Sequence, residues 1–470
     1  MAVTQSSINL PSPESEALTR PLVLVLAIVV VAGLLFGYDQ GVISGALDGI
    51  RQHFSLTSLL VEVVTSWVTL GALVGSLGGG YLADRNGRRQ AVLIAGVLFI
   101  LGALLQALAP DLWVLVLGRL VVGFGVGVAA VAAPLYSAEL APAAHRGRFV
   151  SAYQLAITIG IFLAYLVDSG LAASGSWRWM LGVSAVPGIL LVLVGALGVE
   201  SPRWLVKAGR HDQARATLEK IQPEVDASAR LAAIERTLEE DEGDASWREV
   251  FDPAWRRPLV VALGLAIFQQ ITGINAIIYY ANQIFAAAGF ETPAAQTMAT
   301  TWAVGGVNVA ATLIAIAFID RLGRRPLLLA GLVGMGLALL VVGFAFLSIE
   351  SEPAGAGPTM AGIVTLAGLV VFIISFAFSL GPVVWTVINE VFPGRVRGRA
   401  VAIATAVNWG SAFLVSQFFL TLIETVGASA TFWLFTFFCL AGWIWVWRIV
   451  PETKGRSLEE IERSWRPASA

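Results

Sequence analysis

Residues 78–99 read GGGYLADRNGRRQAVLIAGVLF, in which a charged turn stands between two apolar segments. The turn DRNGRR at residues 84–89 returns as DRLGRR at residues 320–325, again between apolar segments. A helix needs roughly 20 apolar residues to cross the hydrocarbon core of a bilayer. The repeated pattern therefore predicts membrane-spanning helices joined by short charged turns in both halves of the chain.

The composition of the whole chain leads to the same class of protein. Of 470 residues, 57% are hydrophobic and 13% are charged, and the mean hydropathy is +0.78, whereas soluble chains carry about 25% charged residues. Because helices satisfy their own backbone hydrogen bonds in lipid, we predict an all-α integral membrane protein whose surroundings are the lipid bilayer. A net charge of −2 does not suggest a nucleic-acid partner.

The residues that usually carry metal or catalytic chemistry are sparse. Cys439 is the single cysteine, and the three histidines are scattered along the chain. We therefore expect no disulfide and no metal site. No nucleophile–base set and no phosphate-binding loop is recognisable, so we expect no enzymatic activity and no cofactor.

Hydropathy predicts twelve spans. They lie at residues 22–48, 59–82, 91–109, 112–136, 150–168, 180–199, 259–287, 297–319, 327–348, 361–388, 400–421 and 430–449.

Arginine is concentrated in the short loops that follow even-numbered spans, such as 84–89 and 320–325. Loops rich in arginine usually remain in the cytoplasm, and both termini lie on that side. The first nineteen residues lack the basic region and cleavage site of a secretory signal. We therefore expect a multi-pass protein of the inner (cytoplasmic) membrane, with both termini cytoplasmic and the first span retained.

The longest polar segment separates six spans from six. Its stretches His211–Ile221 and Ala227–Glu240 have helical periodicity and charged faces. Three motifs also recur at corresponding span ends of the two halves, which predicts two pseudo-symmetric six-helix bundles. The predicted organisation is a cytoplasmic tail (1–20), an N-terminal six-helix bundle (21–199), a cytoplasmic helical linker (200–257), a C-terminal six-helix bundle (258–450) and a second cytoplasmic tail (451–470).

Acidic residues recur at fixed spacing from the arginines of these loops. Membrane topology alone accounts for the arginines, but it does not account for the acids. Acid–arginine pairs between helix ends can latch the cytoplasmic side while the site faces outward and separate when it opens inward. We predict a cytoplasmic gate composed of Asp84, Arg88, Glu139, Arg148, Asp320, Arg324, Glu390 and Arg397.

Several short motifs stand at the ends and in the interior of the predicted spans. They are GYDQGVISG (37–45), GYLADRNGRR (80–89), PLYSAE (134–139), ESPRW (200–204), QQITGIN (269–275), GPVVW (381–385), NW (408–409) and PETKG (451–455). Together they resemble the motifs of the sugar porter family of the major facilitator superfamily over nearly the full length. The resemblance implies the major facilitator fold and the movement of monosaccharides by alternating access, either downhill or with protons.

The seventh span is unusually rich in uncharged hydrogen-bonding side chains. Amides offer both donors and acceptors, as sugar hydroxyls require, while tryptophan rings can cover the apolar side of a pyranose. A straight helix would not gather these amides on one face, so we expect a break at Gly273. Packing between helices is the alternative role for each amide alone. The expected substrate ligands are Gln154, Gln269, Gln270, Asn275, Asn308, Trp385, Asn408 and Trp409. Of these, Gln154 and Asn308 are chosen only because the resemblance implies a role at their positions.

Asp39 lies well inside the first span, where an ionised carboxylate is costly. Counting along the antiparallel first and fourth spans places Arg119 at nearly the same depth, on the order of 10–14 Å below the outer surface. We expect the two to pair and Asp39 to carry the coupling proton, although a static ion pair that locks the two helices is the alternative. The resemblance supports symport because proton-coupled members of the family carry an acid at this position.

The sequence therefore predicts a proton–monosaccharide symporter that acts as a monomer, with the proton as coupling ion. A downhill sugar facilitator is the nearest alternative. A drug or metabolite antiporter is disfavoured because the seventh span lacks cationic or strongly apolar character. A membrane sugar sensor is disfavoured because only some twenty residues follow the last span.

Overall fold

The computed structural model describes residues 19–142, 145–223, 226–240, 249–351, 359–392 and 394–454. The described residues contain helices and loops and no strand. The helices are α1 (Arg20–Phe54), α2 (Ser58–Asn86), α3 (Arg88–Ala107), α4 (Leu112–Leu140), α5 (Arg146–Leu171), α6 (Trp177–Gly182), α7 (Ala185–Leu197), α8 (Pro202–Lys207), α9 (His211–Ile221), α10 (Ala227–Glu240), α11 (Arg256–Ile271), α12 (Ile274–Tyr279), α13 (Ala281–Ala287), α14 (Pro293–Ala299), α15 (Val307–Leu322), α16 (Arg324–Ser351), α17 (Met360–Phe378), α18 (Leu380–Glu390), α19 (Gly394–Val426) and α20 (Ala428–Ile449).

Twelve helical segments in the described part of the chain are long and apolar enough to cross a membrane, which confirms the predicted number of spans. Several bounds differ from those predicted. The first span, predicted at 22–48, is the 35-residue helix α1, and the fifth, predicted at 150–168, is Arg146–Leu171. Hydropathy finds the apolar middle of a helix and misses its polar ends, which continue with the same backbone hydrogen bonds.

Four spans are not continuous helices. The sixth is divided into α6 and α7. The seventh is divided into α11, α12 and α13, and the eighth contains a π-helical segment, Thr300–Gly306, between α14 and α15. The tenth is interrupted at Ser379, between α17 and α18. Irregular backbone at membrane depth is tolerated where protein or a cavity surrounds it, so these breaks mark the interior of the molecule.

Glycine allows helices of the first half to approach closely. A Cβ atom built on Gly37 of α1 would lie 1.9 Å from the carbonyl oxygen of Ile157 in α5. A Cβ atom on Gly123 of α4 would lie 2.0 Å from the carbonyl oxygen of Val68 in α2. Small residues at such crossings are typical of membrane helices, whose association depends on close packing.

The segment between the sixth and seventh spans contains the two helices predicted for it, α9 and α10, with the expected bounds. Together with α8 they form a small separate core around Trp204, Leu205 and Ala214. Of the predicted tails at 1–20 and 451–470, residues 1–18 and 455–470 lie outside the described residues.

Two faces of the molecule are distinguished by charge. We call the side with the α2–α3 and α15–α16 turns the arginine-rich face, and the opposite side the arginine-poor face. Along the boundary between the two halves, α19 packs on α2, and α5 packs on the eighth span. Several polar bonds that cross this boundary lie toward the arginine-poor face, for example from Gln283 to Asp48 and from the backbone N–H of Asn282 to Ser44. The two halves are thus held together on that face.

Candidate functional site

Four of the predicted amides form one hydrogen-bonded cluster deep in the second half. Asn408 of α19 donates to Oε1 of Gln269 at 2.7 Å and accepts from Nε2 of Gln270 at 3.2 Å. Asn275 donates to Oε1 of Gln270 at 2.8 Å. All four are buried, with 4–7% exposure. We call Gln269, Gln270, Asn275 and Asn408 the amide cluster.

The cluster depends on the break in the seventh span. Gly273 has φ +96° and separates α11 from α12, which confirms the break predicted there. A side chain at this position would also meet the ring of Phe435 at 2.7 Å. Glycine readily adopts this left-handed backbone conformation, and the change of direction brings Asn275 against Gln270. Two amides on opposite flanks of a straight helix become neighbours.

The other predicted ligands lie on α5, α15, α18 and α19. Gln154 of α5 and Asn308 of α15 make no side-chain hydrogen bond to another residue in the described part of the chain. Trp385 of α18 is half-buried. Trp409 is 6% exposed and packs on Phe36 of α1, with ring centroids 5.5 Å apart. In this state the Trp409 ring therefore contacts the opposite half of the molecule.

The structure pairs Asp39 with Arg119, as the depths of the two residues predicted. Nη1 of Arg119 lies 2.8 Å from Oδ1 of Asp39, and the side chains are 0% and 5% exposed. Nε of Arg119 donates to the carbonyl oxygen of Val64 at 3.1 Å, which connects α4 to α2 as well as to α1. A buried arginine keeps its charge, so the group in this pair that can change charge is the carboxyl.

Two further buried carboxyls were missed by sequence reasoning. Glu62 is 0% exposed and lies in α2, and Asp168 is 2% exposed and lies in α5. Oδ2 of Asp168 accepts from the backbone N–H of Gly45 at 3.1 Å. Both stand close to predicted span ends, where a carboxylate is easily taken for an interfacial charge. For Glu62, an acid one turn inside the predicted second span was the available signal, whereas Asp168 is the last residue of the predicted fifth span.

On the arginine-rich face, the first half contains a compact charge cluster. Nη2 of Arg88 lies 2.9 Å from Glu139, and Nη1 lies 3.0 Å from Asp84. Ser201, which precedes α8, donates to the second oxygen of Glu139. Residues from α2, α3, α4 and the start of the linker are thereby joined.

The second half repeats this arrangement. Nη2 of Arg324 lies 3.2 Å from Oε1 of Glu390, and Thr453 donates to Oε2 of Glu390 at 2.6 Å. Thr453 follows the last span as Ser201 follows the sixth. Every ion pair named in these two clusters joins helices of one half.

The remaining predicted gate residues take less part in these clusters. Arg148 is exposed. Nε of Arg397 donates to the carbonyl oxygen of Phe392 in its own half at 3.0 Å. The side chain of Asp320 lies outside the described residues.

A second pair of acids shows that the two clusters differ electrostatically. Glu200 and Glu452 each accept from backbone N–H groups at the start of the third or ninth span. Burial raises the pKa of Glu200 above its ordinary value. Burial acts in the same direction on Glu452, but N–H donors from Lys454, Arg324 and Arg325 outweigh it and lower the pKa. The Glu452 carboxylate therefore stabilises the fold above the ordinary glutamate pKa, and this stabilisation is lost as pH falls through the lowered value.

The chain is similar to known sugar transporters. The family described as Sugar (and other) transporter matches residues 25–465. The arabinose-proton symporter of Escherichia coli (strain K12) is 38% identical over 464 residues, covering 98% of this chain and 97% of the relative. The galactose-proton symporter of the same strain is 40% identical over 448 residues, covering 94% of this chain and 93% of that protein.

Among solved structures, the partially occluded inward open conformation of the xylose transporter XylE from Escherichia coli superposes with a TM-score of 0.80. It is 30% identical to this chain and covers 93% of it, with 99% of its own length included. The sequence resemblance and the predicted fold are therefore confirmed.

Proposed function

The chain belongs to the sugar transporter family, and from this premise we propose that it carries a hexose or pentose across the cytoplasmic membrane together with a proton. It is a multi-pass membrane transporter with the major facilitator fold. The observation that carries the proposal is the joint presence, at membrane depth, of an uncharged amide cluster and a buried carboxyl paired with arginine. The first suits a neutral polyhydroxy solute, and the second suits a proton.

The substrate site that we propose combines the amide cluster with the unbonded amides of Gln154 and Asn308 and the rings of Trp385 and Trp409. Amide groups can donate to and accept from sugar hydroxyls, and the tryptophan faces can cover the apolar side of the ring. In this state the cluster amides bind one another. A sugar hydroxyl would replace some of those bonds, so little hydrogen bonding is lost between the empty and loaded states.

The proton site that we propose is Asp39. A proton on Asp39 removes its attraction to Arg119, whose side chain also bonds α2. The positions of α1, α2 and α4 thereby become dependent on the charge of one carboxyl. The fluxes of sugar and proton are coupled if the transporter changes its access side only when both are bound or neither is bound.

The orientation that we propose places the arginine-rich face and both termini in the cytoplasm, following the distribution of arginine in the loops. The two arginine–glutamate clusters are then cytoplasmic gate elements. Since each cluster lies within one half and the bonds from Gln283 to Asp48 and from Asn282 to Ser44 join the halves on the other face, we propose that this state is closed toward the outside. The protein acts as a monomer, with the proton as its coupling ion.

Reconstituted protein tests this proposal directly. In liposomes that enclose a pH-sensitive dye, addition of xylose, arabinose, galactose or glucose outside should acidify the interior for the transported sugar. A protonophore should abolish uphill accumulation of labelled sugar and leave its exchange intact. Sugar entry without any pH change would reject symport in favour of a facilitator. Absence of exchange for every monosaccharide would reject a sugar as substrate.

Replacement of Asn408 by alanine should weaken sugar binding. Asn408 bonds both Gln269 and Gln270, and removal of a buried hydrogen-bond partner costs about 1–3 kcal/mol per unsatisfied group. We expect the half-saturating sugar concentration for exchange to rise by roughly tenfold to hundredfold. Asn86→Ala, an exposed position at the end of α2, is the matched control. Unchanged half-saturation in folded Asn408→Ala protein would remove the cluster from the substrate site.

A further inference from the structure

Three polar pairs close the boundary between α2 and α19 on the arginine-poor face. Ser58, Glu62 and Ser66 stand at intervals of four residues on one side of α2, as the helical repeat requires. Ser58 donates to Glu424, and Ser66 donates to Gln417 at 2.7 Å. We call these three pairs, with Glu62 in the middle, the outer ladder. They belong to opposite halves, so the ladder must separate when this face opens.

The middle pair is the unusual one. Oε1 of Glu62 accepts from the backbone N–H of Thr421 at 2.7 Å, and Oε2 lies 2.7 Å from the Thr421 hydroxyl. Glu62 is 0% exposed, and no cation pairs with it among the described residues. A carboxylate removed from water without a cation is costly. A proton on Oε2 removes that cost and keeps the contact with Thr421, because the hydroxyl can accept as well as donate.

The charged and titratable groups around Glu62 reinforce this effect. Glu424 of α19 acts on it electrostatically as a second acid, and Tyr280 of the seventh span is also within electrostatic reach. Arg119 of α4 bonds the carbonyl oxygens of Val64 and Thr65 in α2, but its charge is already paired with Asp39. Among the described residues, Glu62 therefore has an acidic neighbour across the boundary and no cation paired with it.

We propose that Glu62 is a second proton-binding residue of the transport cycle, and that its protonation closes the outer ladder. When the ladder is open, Glu62 faces water and ionises as an ordinary carboxyl does. Closure and proton binding are therefore linked, and acid on the outside favours closure. The role rests on the proposed proton coupling and extends it, because protons then act at the outer gate as well as at Asp39.

Distance measurements in the absence of sugar test this role independently of transport. Spin labels at Leu59→Cys and Val426→Cys, exposed positions on α2 and α19, report the separation of the two helices in lipid nanodiscs. The background variant Cys439→Ala removes the single native cysteine. Lowering the pH from about 8 to about 5 should increase the closed population, by at most about tenfold per pH unit for one proton.

Three variants identify the responsible group. Glu62→Gln, which mimics the neutral acid, should remain closed at every pH. Glu424→Gln makes the same change at an exposed acid of the ladder and should retain the pH dependence. Asp39→Asn should also retain it, because the sensor lies elsewhere.

Several outcomes would overturn the proposal. These are an outer ladder in the unsubstituted protein that does not respond to pH, an unchanged response in Glu62→Gln, and loss of the response in Asp39→Asn. If Glu62→Gln does not fold, the pH response of the unsubstituted protein and that of Asp39→Asn still test the proposal. Because no sugar or proton gradient is present, a negative result here leaves the proposed symport standing, and failure of sugar-driven proton uptake leaves this measurement valid.

Discussion

Replacement of Asp39 by asparagine should reduce the sugar accumulation ratio to about one, the equilibrium value, while labelled sugar still exchanges across the membrane. Asparagine has nearly the size of aspartate and still accepts a hydrogen bond from Arg119, but it cannot bind or release a proton. The variant therefore resembles a carrier whose coupling site is permanently neutral. Bound sugar alone then suffices for reorientation, so an imposed proton gradient no longer drives uptake.

The measurement compares uptake under an inward proton gradient with counterflow in the absence of a gradient. Asp111→Asn is the matched control, because Asp111 is an exposed N-cap of α4 and asparagine caps helices equally well. That variant should accumulate sugar as the unsubstituted protein does. Retained exchange also shows that Asp39→Asn folds, although the Arg119 charge has lost its counterion. Uphill uptake that persists in Asp39→Asn would show that the coupling proton binds elsewhere and would favour a static ion pair.

The second large effect is expected on stability. Gly37→Ala should strongly destabilise the folded protein, because the added Cβ would lie 1.9 Å from the carbonyl oxygen of Ile157 and 2.7 Å from its carbonyl carbon. These are backbone atoms of α5, so no rotamer change relieves the contact and the two helices must move apart. Overpacking of this kind costs about 1–3 kcal/mol and occasionally more. We expect a marked fall in folded yield and in the thermal unfolding temperature after detergent extraction.

Gly80→Ala provides the control, since nothing lies within 4 Å of a Cβ atom built on Gly80 in α2. Alanine is favoured over glycine in a helix interior by about 1 kcal/mol, so this variant should be at least as stable as the unsubstituted protein. Equal unfolding temperatures for Gly37→Ala and Gly80→Ala would contradict the close approach of α1 and α5.

Much of the fold is predictable from the sequence because its main determinant is the solvent. Lipid forces each span to be helical and apolar, so span number follows from hydropathy alone. The linker helices α9 and α10 are equally predictable, because their charged and apolar faces follow the helical period. The interruptions at Thr300–Gly306 and Ser379 were not predicted. Neither changes the hydropathy, and both depend on how neighbouring helices pack.

The predicted site shows a similar division. The pairing of Asp39 with Arg119 followed from depth, which counts residues along two antiparallel helices. The close approach of Asn275 to Gln270 followed from the helix break predicted at Gly273. Glu62 was missed because its significance lies in the absence of a cation nearby and the presence of α19, and neither is visible in the sequence of α2. Hydropathy locates a charge in depth but not around the circumference of its helix.

The break at Gly273 has a mechanical consequence. The fourteen residues from Ile274 to Ala287 extend roughly 20 Å toward the arginine-poor face at 1.5 Å per residue. A tilt on the order of 10° about Gly273 would displace the far tip by about 4 Å, comparable to the thickness of a sugar ring, while Gln269 and Gln270 on α11 stay almost still. We propose that α12 and α13 act together as a lever hinged beside the amide cluster, so that the entrance widens while Gln269 and Gln270 keep their places in the proposed substrate site.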